Sequence, residues 1–302
     1  MNLIRQILNP QRFRLLAWLS LISQILIVVT GGVVRLSGSG LGCPTWPKCT
    51  EDSLVNVPEM GIHGIIEFGN RLLTFVLLII AIATWLAIVL NRRIETVRAM
   101  RVTFPTTVLL LGIPAQAVLG GFTVWSQLNP WFVGAHFVLS GVMISFATVL
   151  LFRIRKPKQS DSKLSKNLAW PVIIIGWVTV LIGVLVTGAG PHSGDADSVR
   201  NGLDLEIWQH YHSYPAYLSL LLAVLTLSSN YRESGARSTS TRVSSLLFIV
   251  LVIQAVIGIA QARLGVPALL VGFHMLGAAT LISLFTMQWL MARGKHLAQG
   301  KN

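Results

Sequence analysis

Long apolar stretches alternate with short polar intervals along the whole chain, and the charged residues gather in the intervals. The repeat length is that of a bilayer, since about 20 apolar residues rising 1.5 Å each cross its hydrocarbon core. The pattern predicts eight helices, over residues 15–35, 62–90, 103–126, 131–152, 168–189, 206–229, 243–263 and 267–291. Basic residues precede the first segment, as in a secretory signal, but it is too long for one and lacks a small-residue cleavage site. A retained helix is expected.

One stretch recurs within this pattern. Gln116-Ala117-Val118-Leu119-Gly120, followed by Val133-Gly134-Ala135-His136, returns as Gln254-Ala255-Val256-Ile257-Gly258 followed by Val271-Gly272-Phe273-His274. A weaker echo pairs Val29-Thr30-Gly31-Gly32 with Val186-Thr187-Gly188-Ala189. Matching residue types at matching spacing mark a duplicated unit. The expected fold class is therefore an all-α polytopic membrane protein, with eight transmembrane helices as two tandem four-helix bundles, residues 1–155 and 156–302.

Composition sharpens the class. Hydrophobic residues make up 53% of 302 and charged residues 12%, far from an ordinary soluble domain. Most Lys and Arg lie in the N-terminus (Arg5, Arg12, Arg14), the 91–102, 153–167 and 230–242 intervals, and the tail with Lys295 and Lys301. The alternate intervals carry Glu51, Asp52, Glu59, Asp195, Asp197, Asp204 and Glu206. The positive-inside rule puts both termini in the cytoplasm of a cell-membrane protein. The net charge of +13 then follows from topology, and no nucleic-acid partner is expected.

The candidate chemistry lies at the outer ends of the helices. Gly38-Ser39-Gly40-Leu41-Gly42 has a dinucleotide-loop rhythm, but no strand precedes it and it lies outside, so that reading is rejected. Cys43 and Cys49 are the only cysteines, on the oxidising side, where they read as a loop staple or an exchangeable thiol pair. His63, Glu67 and Asn70 share a helix face at i, i+4, i+7. Glu67 reads either as a carboxylate placed for proton transfer or as the partner of Arg71 in a helix-anchoring ion pair. Six of the seven histidines, at 63, 136, 192, 210, 212 and 274, fall on the outer side, with His296 in the tail. That gathering favours cofactor ligation. Imidazoles on facing helices can ligate a haem iron, with Arg35 and Arg71 at the outer ends to meet propionates. A histidine-lined transition-metal site around His210 and His212 is the competing reading.

Gly31-Gly32-Val33-Val34-Arg35-Leu36-Ser37-Gly38-Ser39-Gly40-Leu41-Gly42-Cys43-Pro44 with Trp46-Pro47 and Cys49, then Glu67-Phe68-Gly69-Asn70-Arg71 and the two Val-Gly-x-His helices, resemble heme A synthase. That membrane enzyme converts haem O to haem A. The resemblance covers all eight predicted helices. It implies a haem b cofactor in the C-terminal half, ligated by His212 and His274, and the substrate haem O in the N-terminal half, with His136 as one ligand. Glu67 would be the carboxylate needed for activity, and Cys43 and Cys49 the extracellular pair. Asn70 stands where the family often has histidine, and His63 is a weaker candidate for the missing ligand. Haem O synthase and the assembly of a terminal cytochrome oxidase are the implied partners, alongside a homo-oligomer. A non-catalytic di-haem cytochrome and a haem transporter built from the same repeats are the alternatives.

Overall fold

In the computed structural model, residues 10–293 are described, which leaves Arg5, Lys295, His296 and Lys301 outside the described residues. Eight long helices carry the apolar segments: α1 Pro10–Leu36, α2 Gly61–Leu90, α3 Thr103–Trp125, α4 Pro130–Arg155, α5 Lys163–Ala189, α6 Leu205–Ser234, α7 Thr239–Arg263 and α8 Ala268–Arg293. A helix of a turn and a half, Glu95–Met100, interrupts the connection after α2. Among the described residues there is no strand.

Most ends fall within a few residues of the hydropathy pattern, and the exceptions have local causes. α5 starts five residues earlier than its apolar stretch because the Ser162 hydroxyl accepts from Ser165 N–H and caps it. α6 runs on to Ser234, past the predicted residue 229, where Glu233 Oε1 accepts from Ser162 and Ser229. Asn129 with Pro130 starts α4, and Asp204 caps α6. Seven of the eight helices are long and apolar enough to cross a membrane. The eighth, α6, carries Glu206, His210, His212, Arg232 and Glu233, which lower its hydropathy.

Large apolar side chains face outward on every flank, among them Leu15, Ile22, Ile79, Leu111 and Leu269. Such a surface is suited to lipid, and the helices satisfy their backbone groups internally. The chain is thus a multi-pass, all-helical membrane protein.

Helix α1 packs on α2 and α4, α2 on α3, and α3 on α4; likewise α5 packs on α6 and α8, α6 on α7, and α7 on α8. Further contacts join α8 to α1 and α4, and α4 to α5. Ile144, Ala147 and Leu150 of α4 are fully buried in this contact zone. Two polar pairs lie on the α4–α8 seam: Thr148 with Ser283 at 2.8 Å, and Thr286 donating to Ser145 at 3.1 Å. The offset from 145 to 283 and from 148 to 286 is the same as from His136 to His274. The two pairs are therefore reciprocal, each helix offering its serine to the other's threonine. Hydroxyl pairs of this kind hold helices together where water cannot compete.

The α1–α2 and α5–α6 connections are tied together. Cys43 and Cys49 form a disulfide, and Gly40 N–H donates to Gly194 O at 2.8 Å. Leu128 fills the space against Gly40 and Gly194, which stands at φ +105°, a conformation that favours glycine.

Candidate functional site

The recurring Gln-x-x-x-Gly places glutamine and glycine one turn apart on one face of α3 and again of α7. Each glycine faces the histidine of its own repeat. A β-carbon on Gly120 would meet His136 Cε1 at 3.4 Å, and one on Gly258 would meet His274 Cε1 at 3.6 Å. The imidazole edge thus packs directly against the glycine of the neighbouring helix, at a distance where a β-carbon would just touch it. His212 of α6 has the same arrangement against Gly183 of α5, where a β-carbon would lie only 2.9 Å from Cε1. Neither glycine repeat nor spacing announces Gly183 in the sequence.

Asn70 is held differently. Its side chain pairs with Thr30 Oγ of α1 at 2.8 Å. The two residues join α1 to α2 in the half that carries His136.

The His212 and His274 rings lie edge-on to one another, with centroids 6.3 Å apart and planes at 67°. The fit to a shared iron can be tested from bond lengths. Metal–nitrogen bonds of about 2 Å, added to an imidazole radius of about 1.1 Å set by ring bonds near 1.33 Å, require centroids roughly 6.3 Å apart. The Nδ1 atoms of His136, His212 and His274 are buried with no protein partner. Buried imidazoles without partners are costly unless a ligand uses the rings. The residues therefore fit a haem held between α6 and α8. A bare transition-metal ion fits less well, since among the described residues no three His, Cys, Asp or Glu side chains converge.

The other outer histidines are used elsewhere. His63 is exposed, and its Nδ1 pairs with Ser39 Oγ at 2.8 Å; His192 Nε2 pairs with Val266 O at 2.8 Å; His210 is exposed.

Glu67 is buried, at 5% exposure, and both its oxygens are engaged. Oε1 pairs with Arg71 Nη2 at 2.5 Å and Nε at 3.1 Å, while Oε2 accepts from Cys43 N–H at 2.6 Å. Arg71 donates onward to the carbonyls of Cys43, Thr45 and Lys48. The i, i+4 pair therefore anchors the disulfide loop as well as the helix. Arg35 links α1 to α5 and the loop after it, donating to Thr187 O at 2.8 Å and His192 O at 2.5 Å. Both guanidiniums are bonded to backbone carbonyls.

The glycine cradle makes a direct prediction. Gly183→Val should displace the His212 ring and cut haem content at least about tenfold, the scale on which disturbed ligand support costs metal affinity. Difference spectra of the purified protein, with circular dichroism as the check on helix content, decide it. Unchanged haem content would show that the close approach carries no weight.

Residues 14–63 and 55–286 match the family model described as COX15-CtaA, cytochrome oxidase assembly protein. The Heme A synthase of Staphylococcus epidermidis is 27% identical over 285 residues, covering 86% of this chain and 90% of that protein. The Heme A synthase of Bacillus pumilus is 32% identical over 183 residues, 58% of this chain and 57% of that protein. The Heme A synthase of Bartonella tribocorum is 24% identical, with 98% of this chain and 97% of that protein covered. With nearly the whole chain matched, and the cradled histidines inside the matched residues, the protein belongs to the COX15-CtaA family of cytochrome oxidase assembly proteins.

Proposed function

We propose that this protein is a heme A synthase, which oxidises a methyl group of haem O to a formyl group. The observation that carries the reading is the set of three histidines, each set against a glycine, in a chain whose relatives bear that name. Eight membrane crossings divide into a substrate half, residues 1–155, and a cofactor half, residues 156–302. Both termini face the cytoplasm and the haem sites lie toward the outer surface. His212 and His274 hold haem b, and His136 holds the substrate haem. Bound haem supplies the redox chemistry that the side chains lack.

The protein's own contribution is placement and charge. Gly120, Gly183 and Gly258 seat the imidazoles, and the apolar helices exclude water. Arg35 and Arg71 put positive charge at the outer rim, where ionised propionates belong. Glu67 stands beside Arg71 as the buried carboxylate that manages protons. The apolar tail of haem O suits delivery through the bilayer, from a haem O synthase and toward the assembling oxidase.

Coexpression with a source of haem O, followed by pigment extraction and mass analysis, tests the proposal. Haem A or a hydroxylated intermediate is expected. Haem b alone would identify a di-haem electron carrier and overturn the reading.

The substrate side carries a separate prediction. Asn70 is a poor iron ligand, and His63 lies about 10 Å nearer the surface along α2. His136 is then the sole strong protein ligand there. Added haem O should give a high-spin, five-coordinate or water-ligated spectrum that survives His63→Ala and disappears in His136→Ala. A bis-histidine signal lost in His63→Ala would refute this.

A further inference from the structure

The two glutamines of the repeat, Gln116 and Gln254, are used differently. Gln116 Nε2 donates to Ser140 Oγ at 2.8 Å and to His136 O at 3.3 Å. Ser140 Oγ itself donates to His136 O at 3.0 Å, so it offers Gln116 a lone pair. The carboxamide orientation is therefore fixed, because turning it over would set two oxygens against each other. Oε1 is the atom left over. It is buried and, among the described residues, it is the one side-chain amide oxygen buried without a partner.

The second copy lacks this arrangement. The position equivalent to Ser140 is Ala278, and Gln254 lies instead against Gly277. Among the described residues, a carboxamide oriented by a serine with its oxygen buried and unpartnered is found at Gln116 and not at Gln254. Gln116 lies one turn inward of Gly120, which faces the His136 ring.

We infer that Gln116 is a specificity-determining residue, whose Oε1 accepts a hydrogen bond from the side-chain hydroxyl of haem O. The inference rests on the reading that the N-terminal half takes haem O. Haem O and haem b differ in one substituent: a hydroxylated farnesyl side chain in haem O replaces a vinyl group. That hydroxyl is the neutral donor that haem b lacks. The substituent lies on the porphyrin edge opposite the propionates. With the propionates toward outer water, that edge faces inward, the side on which Gln116 lies. A buried acceptor that loses its donor is penalised, so such a site rejects the ligand without the hydroxyl.

The test is competitive titration of the purified full-length protein, carrying its C-terminal haem, with haem O and haem b. The readout is uptake that depends on His136. Wild type should prefer haem O, and Gln116→Leu should reduce that preference about tenfold, on the scale of one neutral hydrogen bond. The spectrum of the His212–His274 haem reports whether the variant is folded. If Gln116→Leu is lost to misfolding, Ser140→Ala loosens the carboxamide and should reduce the preference about threefold, a fraction of that same term. An unchanged preference overturns the inference. Equal loss of both haems with an altered His136 spectrum also overturns it, since Gln116 would then merely position His136. Absence of any His136-dependent uptake of haem O in wild type is a different failure, because it removes the underlying proposal and this inference with it.

Discussion

Replacing His274 by alanine should strip haem b from the C-terminal half. The variant loses one of two rings whose 6.3 Å separation matches a shared iron, leaving His212 as a lone ligand. Outer partners of metal ligands are already worth about 10–100-fold in affinity, so loss of a direct ligand should cost at least the upper part of that range. The low-spin signal and the extracted haem b should fall together, while haem O uptake through His136 persists. His210→Ala is the informative companion, because His210 is exposed and lies on another face of α6. It should leave haem b in place. An unaltered haem b spectrum in His274→Ala would remove the assignment altogether.

Glu67→Gln should lower haem A production by about 10²-fold or more, the span expected for a group that moves protons, while haem b content stays level. The structure shows what else the substitution does. Glu67 meets donors on both sides, Arg71 at Oε1 and Cys43 N–H at Oε2. A carboxamide has a single oxygen, so its NH₂ group must face one of those donors. The loop between Cys43 and Cys49 is then less firmly held. Thiol labelling under mild reductant separates the two effects. Lost production with unchanged labelling and haem b marks a proton role; lost production with freer thiols and reduced haem uptake marks an anchoring role.

Much of the architecture was legible in the sequence because its signals are periodic. Eight apolar segments gave eight helices, and the Gln-x-x-x-Gly repeat pointed to His136 and His274 before any contact was known. The family was legible too, from the loop around Cys43 and the segment after Glu67. What escaped was set by contacts rather than by pattern. Gly183 meets His212 across two helices with no repeat to mark it. The start of α5 was hidden because Ser162 caps a polar turn that hydropathy assigns to a loop. Arg71 was readable as the i+4 partner of Glu67, but not as a donor to three loop carbonyls, since the loop's path depends on the disulfide. The free oxygen of Gln116 was invisible for a similar reason: it follows from Ser140, which the second repeat does not share.

The reciprocal threonine–serine seam sets how closely the two histidine-bearing helices approach each other. It binds α4 to α8, and these are the helices that bear His136 and His274. Packed helices have axes about 8–10 Å apart, so only one helix pair separates the two ligand-bearing rows. With haems held as proposed by His136 and His274, the direct route for an electron between them runs through the packed side chains of this helix pair. The wall that joins the two halves would then also be the conductor between them.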